Sequence, residues 1–101
     1  MRWFTRVRVV GPSMEPLVHN GDWWVVRRTT SPRVGDVALM MHPLRTDALI
    51  VKRLTRRLVE GWWVLGDNAA ASEDSRQFGS VTDHLVIGVL VFRYRPLRRR
   101  T

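Results

Sequence analysis

The sequence contains no cysteine and a single lysine, and both scarcities restrict its chemistry. Without cysteine the chain forms no disulfide, no zinc–thiolate site and no cysteine nucleophile. Its other basic residues are sixteen arginines, which do not deprotonate in proteins. Among the lysine and arginine side chains, Lys52 alone can therefore act as a general base.

Long apolar runs are also missing. No stretch approaches the roughly 20 apolar residues of a membrane-spanning helix, and no apolar region follows Met1–Phe4 as it does in a secretory signal. We therefore expect a soluble, cytoplasmic protein without a transmembrane anchor. Trp3 and Phe4 lie beside Arg2 and Arg6. These aromatic side chains could make peripheral contact with a membrane or pack on the fold, and we favour packing.

Acidic residues are few, nine against seventeen basic ones, and the formal charge is +8. Most of the arginines are scattered, which is typical of solvated charge, so we expect no nucleic-acid partner. With 101 residues, 45% of them hydrophobic, the chain predicts one domain over residues 1–101 with one modest core. Residues 98–101 predict a frayed basic tail.

The hydrophobic periodicity is mostly that of strands, separated by Gly, Asn and Asp turn signals such as Glu60-Gly61. Patterns of parallel βαβ units are absent. We predict an all-β fold, a compact barrel or sandwich of mixed strands with one or two short helical turns. The predicted strands are Thr5–Val10, Trp23–Arg28, Val37–His42, Ala48–Arg57, Trp62–Leu65 and His84–Arg95, with a bulge or close approach at Gly88. The predicted helical turns are Ser13–Val18 and Val81–Leu85.

The first segment with chemical potential is Gly11-Pro12-Ser13-Met14-Glu15-Pro16. A sharp turn before Ser13 lifts the hydroxyl away from the backbone and leaves N–H groups free to stabilise an oxyanion. The alternative is an ordinary strand-to-helix junction with Ser13 as the N-cap.

The second segment is Leu49-Ile50-Val51-Lys52-Arg53, in which the only lysine lies in an apolar strand. An unperturbed lysine titrates near 10.4 and is almost fully charged at neutral pH, so it serves as a base only when burial disfavours its charge. Alternation along the strand puts Lys52 and Arg53 on opposite faces, so that one can point inward. The alternative is a surface lysine on an edge strand.

The third segment, GDNAAASEDSRQFGSV at residues 66–81, is called the closing segment below. It is polar and offers hydroxyls, carboxylates and one arginine. Asp74 and Arg76 are placed to form an ion pair, and Ser72 to hydrogen-bond an amine. The alternative is a solvated loop.

Together the three segments resemble the signal peptidase I family, peptidase family S26, which uses a Ser/Lys dyad. Ser13 in GPSMEP, Lys52 in VKR and the closing segment match its motifs in order, and Gly35-Asp36-Val37 matches the strand motif between the first two. The resemblance covers about Val9 to Arg93 and implies the all-β catalytic core of that family, without metal or cofactor.

The resemblance also implies the site. Ser13 is the nucleophile, Lys52 the general base, and Ser72 the residue that orients Lys52. The backbone of Gly11 and Ser13 forms the oxyanion region, where some members have a side-chain hydroxyl in place of Gly11, and Met14 follows the nucleophile. Structural roles fall on Asp67, Asn68, Asp74 and Arg76. The implied substrate is a precursor polypeptide with small residues before the cut.

Within this family, the chain is similar to the soluble nickel-type superoxide dismutase maturation proteases. The similarity lies in the run GDWWVVR, in the pair Trp62-Trp63 and in the expected lack of a membrane anchor. That likeness implies removal of the N-terminal extension of a superoxide dismutase precursor. General cleavage of secretory signal peptides is the alternative.

Two other classes of protein compete. A self-cleaving repressor domain of the LexA type shares the dyad and the SMxP turn, although the sequence has no room for a helix-turn-helix. A nucleic-acid-binding β-barrel could use arginines with Trp23, Trp24, Trp62 and Trp63. The three histidines show no metal-ligand spacing, and we assign them no part in catalysis: His19, His42 and His84.

Overall fold

The computed structural model describes residues 3–45 and 47–96, and most of their regular structure is β-strand. The predicted basic tail at 98–101 lies outside the described residues. The elements are β1 (Phe4–Arg8), β2 (Trp23–Arg28), β3 (Val37–Met41), β4 (Leu49–Arg57), β5 (Gly61–Leu65), α1 (Ser75–Phe78), β6 (Val81–Thr82) and β7 (Val86–Arg95), with 3-10 turns at Ala69–Ala71 and Asp83–Leu85.

The seven strands form one sheet in the order β1-β2-β7-β3-β4-β5-β6. The prediction of an all-β fold with short helical turns is confirmed. Mixed strand directions were expected, but every pairing among the described strands is antiparallel. The connections are turns, loops and short helical segments, and no pair of described strands is parallel and joined by a helical crossover.

The helix predicted at Ser13–Val18 is wrong, because these residues form a succession of turns. Glu15 N–H donates to Pro12 O (3.1 Å) and Val18 N–H to Met14 O (3.1 Å). Pro16 explains the difference, since it has no N–H to donate and its ring disfavours helical backbone at the residue before it.

A short helix forms instead at Ser75–Phe78, where the sequence predicted only a polar loop. Asp74 caps it: its side chain accepts from Arg76 N–H, and the Gln77 side chain accepts from Asp74 N–H in a capping box. The spacing of an N-cap residue and a glutamine three positions later is a helix-start signal that the sequence contained. At Val81–Leu85 the predicted helical turn is confirmed only for Asp83–Leu85, because Val81–Thr82 is strand β6.

The predicted irregularity at Gly88 is confirmed. Leu39 pairs with Gly88 but Met40 pairs with Val86, so β7 has one extra residue at this point. A Cβ on Gly88 would lie 2.4 Å from Arg27 O, which is why only glycine fits between the neighbouring strands.

Two buried clusters hold the sheet together. The larger contains Ala38, Met40, Leu54, Trp62, Val64 and Val81. The smaller contains Val9, Met14, Val18 and Val37, and it anchors the turn that carries Ser13.

The packing expected of Trp3 and Phe4 is wrong, because these side chains are 69% and 53% exposed. Phe4 lies on edge strand β1, which pairs with β2 and with no other of the described strands. None of the helices at residues 3–45 and 47–96 has the length and apolar character needed to cross a bilayer.

Candidate active site

Ser13 lies in a turn that is fixed by the closing segment. The Asn68 N–H donates to Ser13 O (2.8 Å), and the Asn68 side-chain amide donates to Pro12 O (3.1 Å). Met14 is almost fully buried, and its sulfur accepts from Asp67 N–H (3.4 Å). These contacts hold the backbone on both sides of the Ser13 side chain.

Asp67 also connects the closing segment to β4. Its carboxylate accepts two hydrogen bonds from Arg53, at 2.8 and 2.7 Å, in a bidentate pair. Arg53 donates in addition to Gly35 O (2.7 Å). The residue after Lys52 is therefore tied to both neighbouring loops, which fixes the position of β4 near the site.

Lys52 lies in the middle of β4, opposite Ala38 of β3, and only 5% of its surface is exposed. Burial lowers the pKa of its amine below the ordinary lysine value, whereas the nearby charges of Asp74 and Glu73 act in the opposite direction. The desolvation effect is the larger of these contributions. A lysine in such a place has a larger neutral fraction than a surface lysine, as a general base requires.

A chain of hydrogen bonds runs from Lys52 to Arg76. The Lys52 amine donates to Ser72 Oγ (3.2 Å), and the Ser72 hydroxyl donates to Asp74 Oδ2 (3.0 Å). Arg76 donates to both oxygens of Asp74, from Nε at 2.9 Å and from its terminal nitrogen at 2.8 Å. The single hydroxyl proton of Ser72 is thus directed to Asp74, so its lone pairs face Lys52.

Asp74 is fully buried and remains a carboxylate. Burial opposes its charge, but hydrogen bonds from Arg76, Gly66 N–H (3.0 Å) and Ser72 outweigh that effect and hold the pKa of this carboxyl well below its usual range. A charged Asp74 is a fixed acceptor for the Ser72 hydroxyl.

Gly66 lies where the turn that carries Ser13 meets the closing segment. A Cβ at this position would lie 2.1 Å from Ser72 Oγ and 2.7 Å from Ser13 O. Ser72, which contacts Lys52, and Ser13 therefore approach the same glycine. No larger residue fits between them without displacing one of the two.

Ser13 and Lys52 both line one cavity of about 240 Å³. Their side chains form no hydrogen bond with each other, and no other described residue hydrogen-bonds the Ser13 hydroxyl. Such contacts are often long in enzymes without substrate and shorten in the complex. The cavity is otherwise mainly apolar and is lined by Val7, Arg8, Val9, Val10, Leu39, Leu49, Ile50 and Val51 as well.

The backbone expected to form the oxyanion region has one engaged and one available amide. The Gly11 N–H donates to Asn20 Oδ1 (2.8 Å), and Gly11 has a φ of 94°, in the region that favours glycine. Within the described residues the Ser13 N–H has no hydrogen-bond partner. Of the two backbone groups expected there, the Ser13 N–H is the one that is free to receive an oxyanion.

One part of the site was missed from the sequence. His42 is buried, and its Nε2 lies 3.0 Å from Glu73 Oε1 in the closing segment. Arg45 contacts the same oxygen at 3.3 Å. Strand alternation continued past the end of β3 puts His42 on the same face as Ala38, but it does not indicate the contact with Glu73. The three histidines join no group of three metal-ligating side chains within residues 3–45 and 47–96.

The chain is similar to a known family of peptidases. A family model described as Peptidase S24-like matches residues 4–91. No curated protein matches the chain. The family match includes the Ser13 turn, β4 with Lys52 and the whole closing segment, and it extends over most of the sequence, so the chain belongs to the peptidase S24-like family of serine-type peptidases.

Proposed function

We propose that this protein is a serine endopeptidase in which Ser13 is the nucleophile and Lys52 the general base. The observation that carries the proposal is the burial of the only lysine in the cavity that Ser13 also lines. The peptidase S24-like family supports the reaction class, and the hydrogen bonds of Lys52, Ser72 and Asp74 support the division of roles.

In the proposed reaction, the neutral Lys52 amine takes the hydroxyl proton as Ser13 Oγ attacks the scissile carbonyl carbon. Ser72 accepts one amine N–H, which directs the lone pair of Lys52 away from Ser72 and toward the cavity. The Ser13 N–H stabilises the oxyanion. The protonated amine then gives its proton to the departing amide nitrogen, and a water molecule deprotonated by Lys52 hydrolyses the acyl-enzyme.

The cavity is suited to an extended polypeptide. Val9 N–H donates to Asp22 O on the β2 side, so the backbone groups of its neighbours Arg8 and Val10 point to the open edge of the sheet. A substrate strand can pair with that edge while its side chains enter the apolar cavity. The expected preference for small residues before the cut stays a prediction.

The test is cleavage of a precursor polypeptide followed by mass spectrometry. Ser13→Ala and Lys52→Arg are expected to abolish cleavage, because arginine keeps the charge but cannot accept the proton. Ser31→Ala, at an exposed loop position, is the matched control and should cleave like the wild type. Cleavage by Ser13→Ala at the wild-type rate would refute the proposal.

For the substrate, we propose the N-terminal extension of a nickel-type superoxide dismutase precursor, on the similarity of GDWWVVR and Trp62-Trp63 to that branch of the signal peptidase I family. Incubation with such a precursor and with a secretory signal-peptide substrate separates the two possibilities. A cut in the second substrate alone contradicts the superoxide dismutase assignment. Loss of mass from the purified chain on its own would instead indicate a self-cleaving domain of the LexA type.

The cytoplasmic location stays a prediction, and one surface favours peripheral contact with a membrane. Phe4 and Phe92, 53% and 54% exposed, border a shallow cavity of about 450 Å³ together with Arg6. Aromatic side chains next to arginine favour the interface of an anionic membrane. We propose that this surface makes reversible contact with such a membrane and that no nucleic acid is bound.

A further inference from the structure

His42 and Glu73 connect the two parts of the structure that must meet at the proposed base. His42 directly follows β3, where its backbone N–H donates to Ala48 O (2.8 Å) at the start of the β3–β4 hairpin. Glu73 lies in the closing segment, between Ser72 and Asp74. The 3.0 Å contact between their side chains joins residues that are far apart in sequence.

The position of His42 follows from strand alternation. Ala38 pairs with Lys52 and Met40 with Ile50, so His42 projects from the same face of the hairpin as Lys52. The closing segment crosses this face with Ser72 bonded to Lys52 and Glu73 to His42. The His42 ring also packs on Phe78 of α1, with ring centroids 4.8 Å apart.

The tautomer of His42 is set by its backbone neighbour. Leu44 N–H donates to His42 Nδ1 (3.1 Å), so a neutral ring carries its proton on Nε2, where it is donated to Glu73. That hydrogen bond lowers the pKa of Glu73, as does the charge of Arg45, against the opposing effect of burial. Glu73 is therefore held as an anion in a defined place.

We propose that His42 and Glu73 are positioning residues for the base: His42 fixes the Glu73 carboxylate beside Lys52, and with it the neighbouring Ser72 that accepts the amine hydrogen bond. The catalytic meaning of this pair rests on the proposed function. The charged groups that face Lys52 are Asp74 and Glu73. The groups that face Glu73 are the titratable His42 ring and the cations Arg45 and Lys52. Asp74 is fixed by Arg76. Glu73 is half-exposed, and of its two side-chain partners His42 is buried whereas Arg45 is exposed.

The single lysine makes the test unambiguous. Protein labelled with carbon-13 at lysine Cε gives one side-chain resonance, whose titration reports on Lys52 alone. Asp74 and Glu73 both raise the pKa of Lys52, and Glu73→Gln removes the second of these charges, so the Lys52 titration should move to lower pH. His42→Leu removes the hydrogen bond to Glu73 and should move the Lys52 titration in the same direction by a smaller amount. His42→Gln keeps a donor near the position of Nε2 and should restore part of the wild-type value.

The double variant distinguishes positioning from general loosening of the fold. His42→Leu in the Glu73→Gln background should cause no further shift, because the charge that His42 positions is already absent. The control is His84→Leu, because the His84 ring contacts Thr82 at an exposed position. Lys52 in this variant should titrate as it does in the wild type. The acid limb of kcat/KM should follow the lysine titration through the series.

An unchanged lysine titration in Glu73→Gln overturns the proposal, as does an additional shift in the double variant. Glu73 is half-exposed, so Glu73→Gln can overturn the proposal even if His42→Leu does not fold. Absence of Ser13-dependent cleavage in the wild type would refute the proposed function instead, while the titrations would still measure the coupling between Glu73 and Lys52.

Discussion

Substitution of Gly66 by alanine tests how closely the site is packed. The added methyl would lie 2.1 Å from Ser72 Oγ, 2.6 Å from Ser72 Cβ and 2.7 Å from Ser13 O. Carbon contacts are favourable at about 3.5–4.0 Å, so these atoms must retreat by roughly 1 Å. Rotation of the Ser72 hydroxyl relieves only one of the three contacts. The others require movement of the backbone that carries Ser72 or Ser13.

The consequence should be larger for activity than for stability. Overpacking of this kind costs about 1–3 kcal/mol of unfolding free energy. A misplacement of about 1 Å at a reacting group lowers the rate by roughly 100-fold. The 3.2 Å hydrogen bond from Lys52 to Ser72 is the first interaction to be lost. The assay is kcat/KM for a cleaved precursor, divided by the folded fraction measured by circular dichroism.

Gly61→Ala provides the matched control. Its methyl would lie 2.0 Å from Val81 O, a clash at least as severe, but between β5 and β6 and not beside Ser13 or Lys52. This variant should lose stability while it keeps its activity per folded molecule. Wild-type kcat/KM in Gly66→Ala, or an equal loss of activity in Gly61→Ala, would refute the packing argument.

Three further predictions concern pH, the buried carboxylate and the surface. Activity should rise with pH through a midpoint below the ordinary lysine value, because burial lowers the pKa of Lys52. The measurement is a profile of kcat/KM against pH, and a midpoint at about 10.4 would contradict the prediction. Asp74→Asn should cost about 2–3 kcal/mol in urea unfolding at pH 7. Because the folded pKa of Asp74 is depressed, its contribution is fully present above about pH 4 and is lost as the pH falls toward the folded pKa; an equal cost at pH 2 and pH 7 would be inconsistent with this. In sedimentation with phosphatidylserine vesicles, the double substitution of Phe4 and Phe92 by serine should reduce binding without changing kcat/KM; equal binding by the variant and the wild type would exclude this surface.

The strands could be predicted because their signals are local. Alternation and the turn residues gave the main strands to within one or two residues at most ends, and Gly88 was identified as a close approach. The order of the strands in the sheet depends on pairing between strands that are far apart in sequence, such as β2 and β7. Local periodicity does not determine this order.

The errors also have physical causes. Ser13–Val18 was predicted as helical although Pro16 interrupts the helical hydrogen bonds, and α1 was overlooked although Asp74 and Gln77 form its capping box. Phe4 was expected to pack, but it lies on an edge strand that pairs with β2 and with no other of the described strands.

The candidate site was predictable where its residues lie in compact motifs. Ser13, Lys52, Ser72 and Asp74 were all selected from segments whose residue types suit the chemistry, and the structure gathers them around one cavity and one hydrogen-bond chain. The contact between His42 and Glu73 joins two unremarkable positions and exists only in the folded chain. No local pattern in the sequence indicates it.

The most direct test of the account is the titration of the Lys52 amine in the wild-type protein, followed through its carbon-13 resonance. The account predicts a midpoint below that of an exposed lysine and coincident with the acid limb of Ser13-dependent cleavage. An amine that titrates like a free lysine, or a cleavage profile that does not follow it, would contradict the assignment of Lys52 as the base.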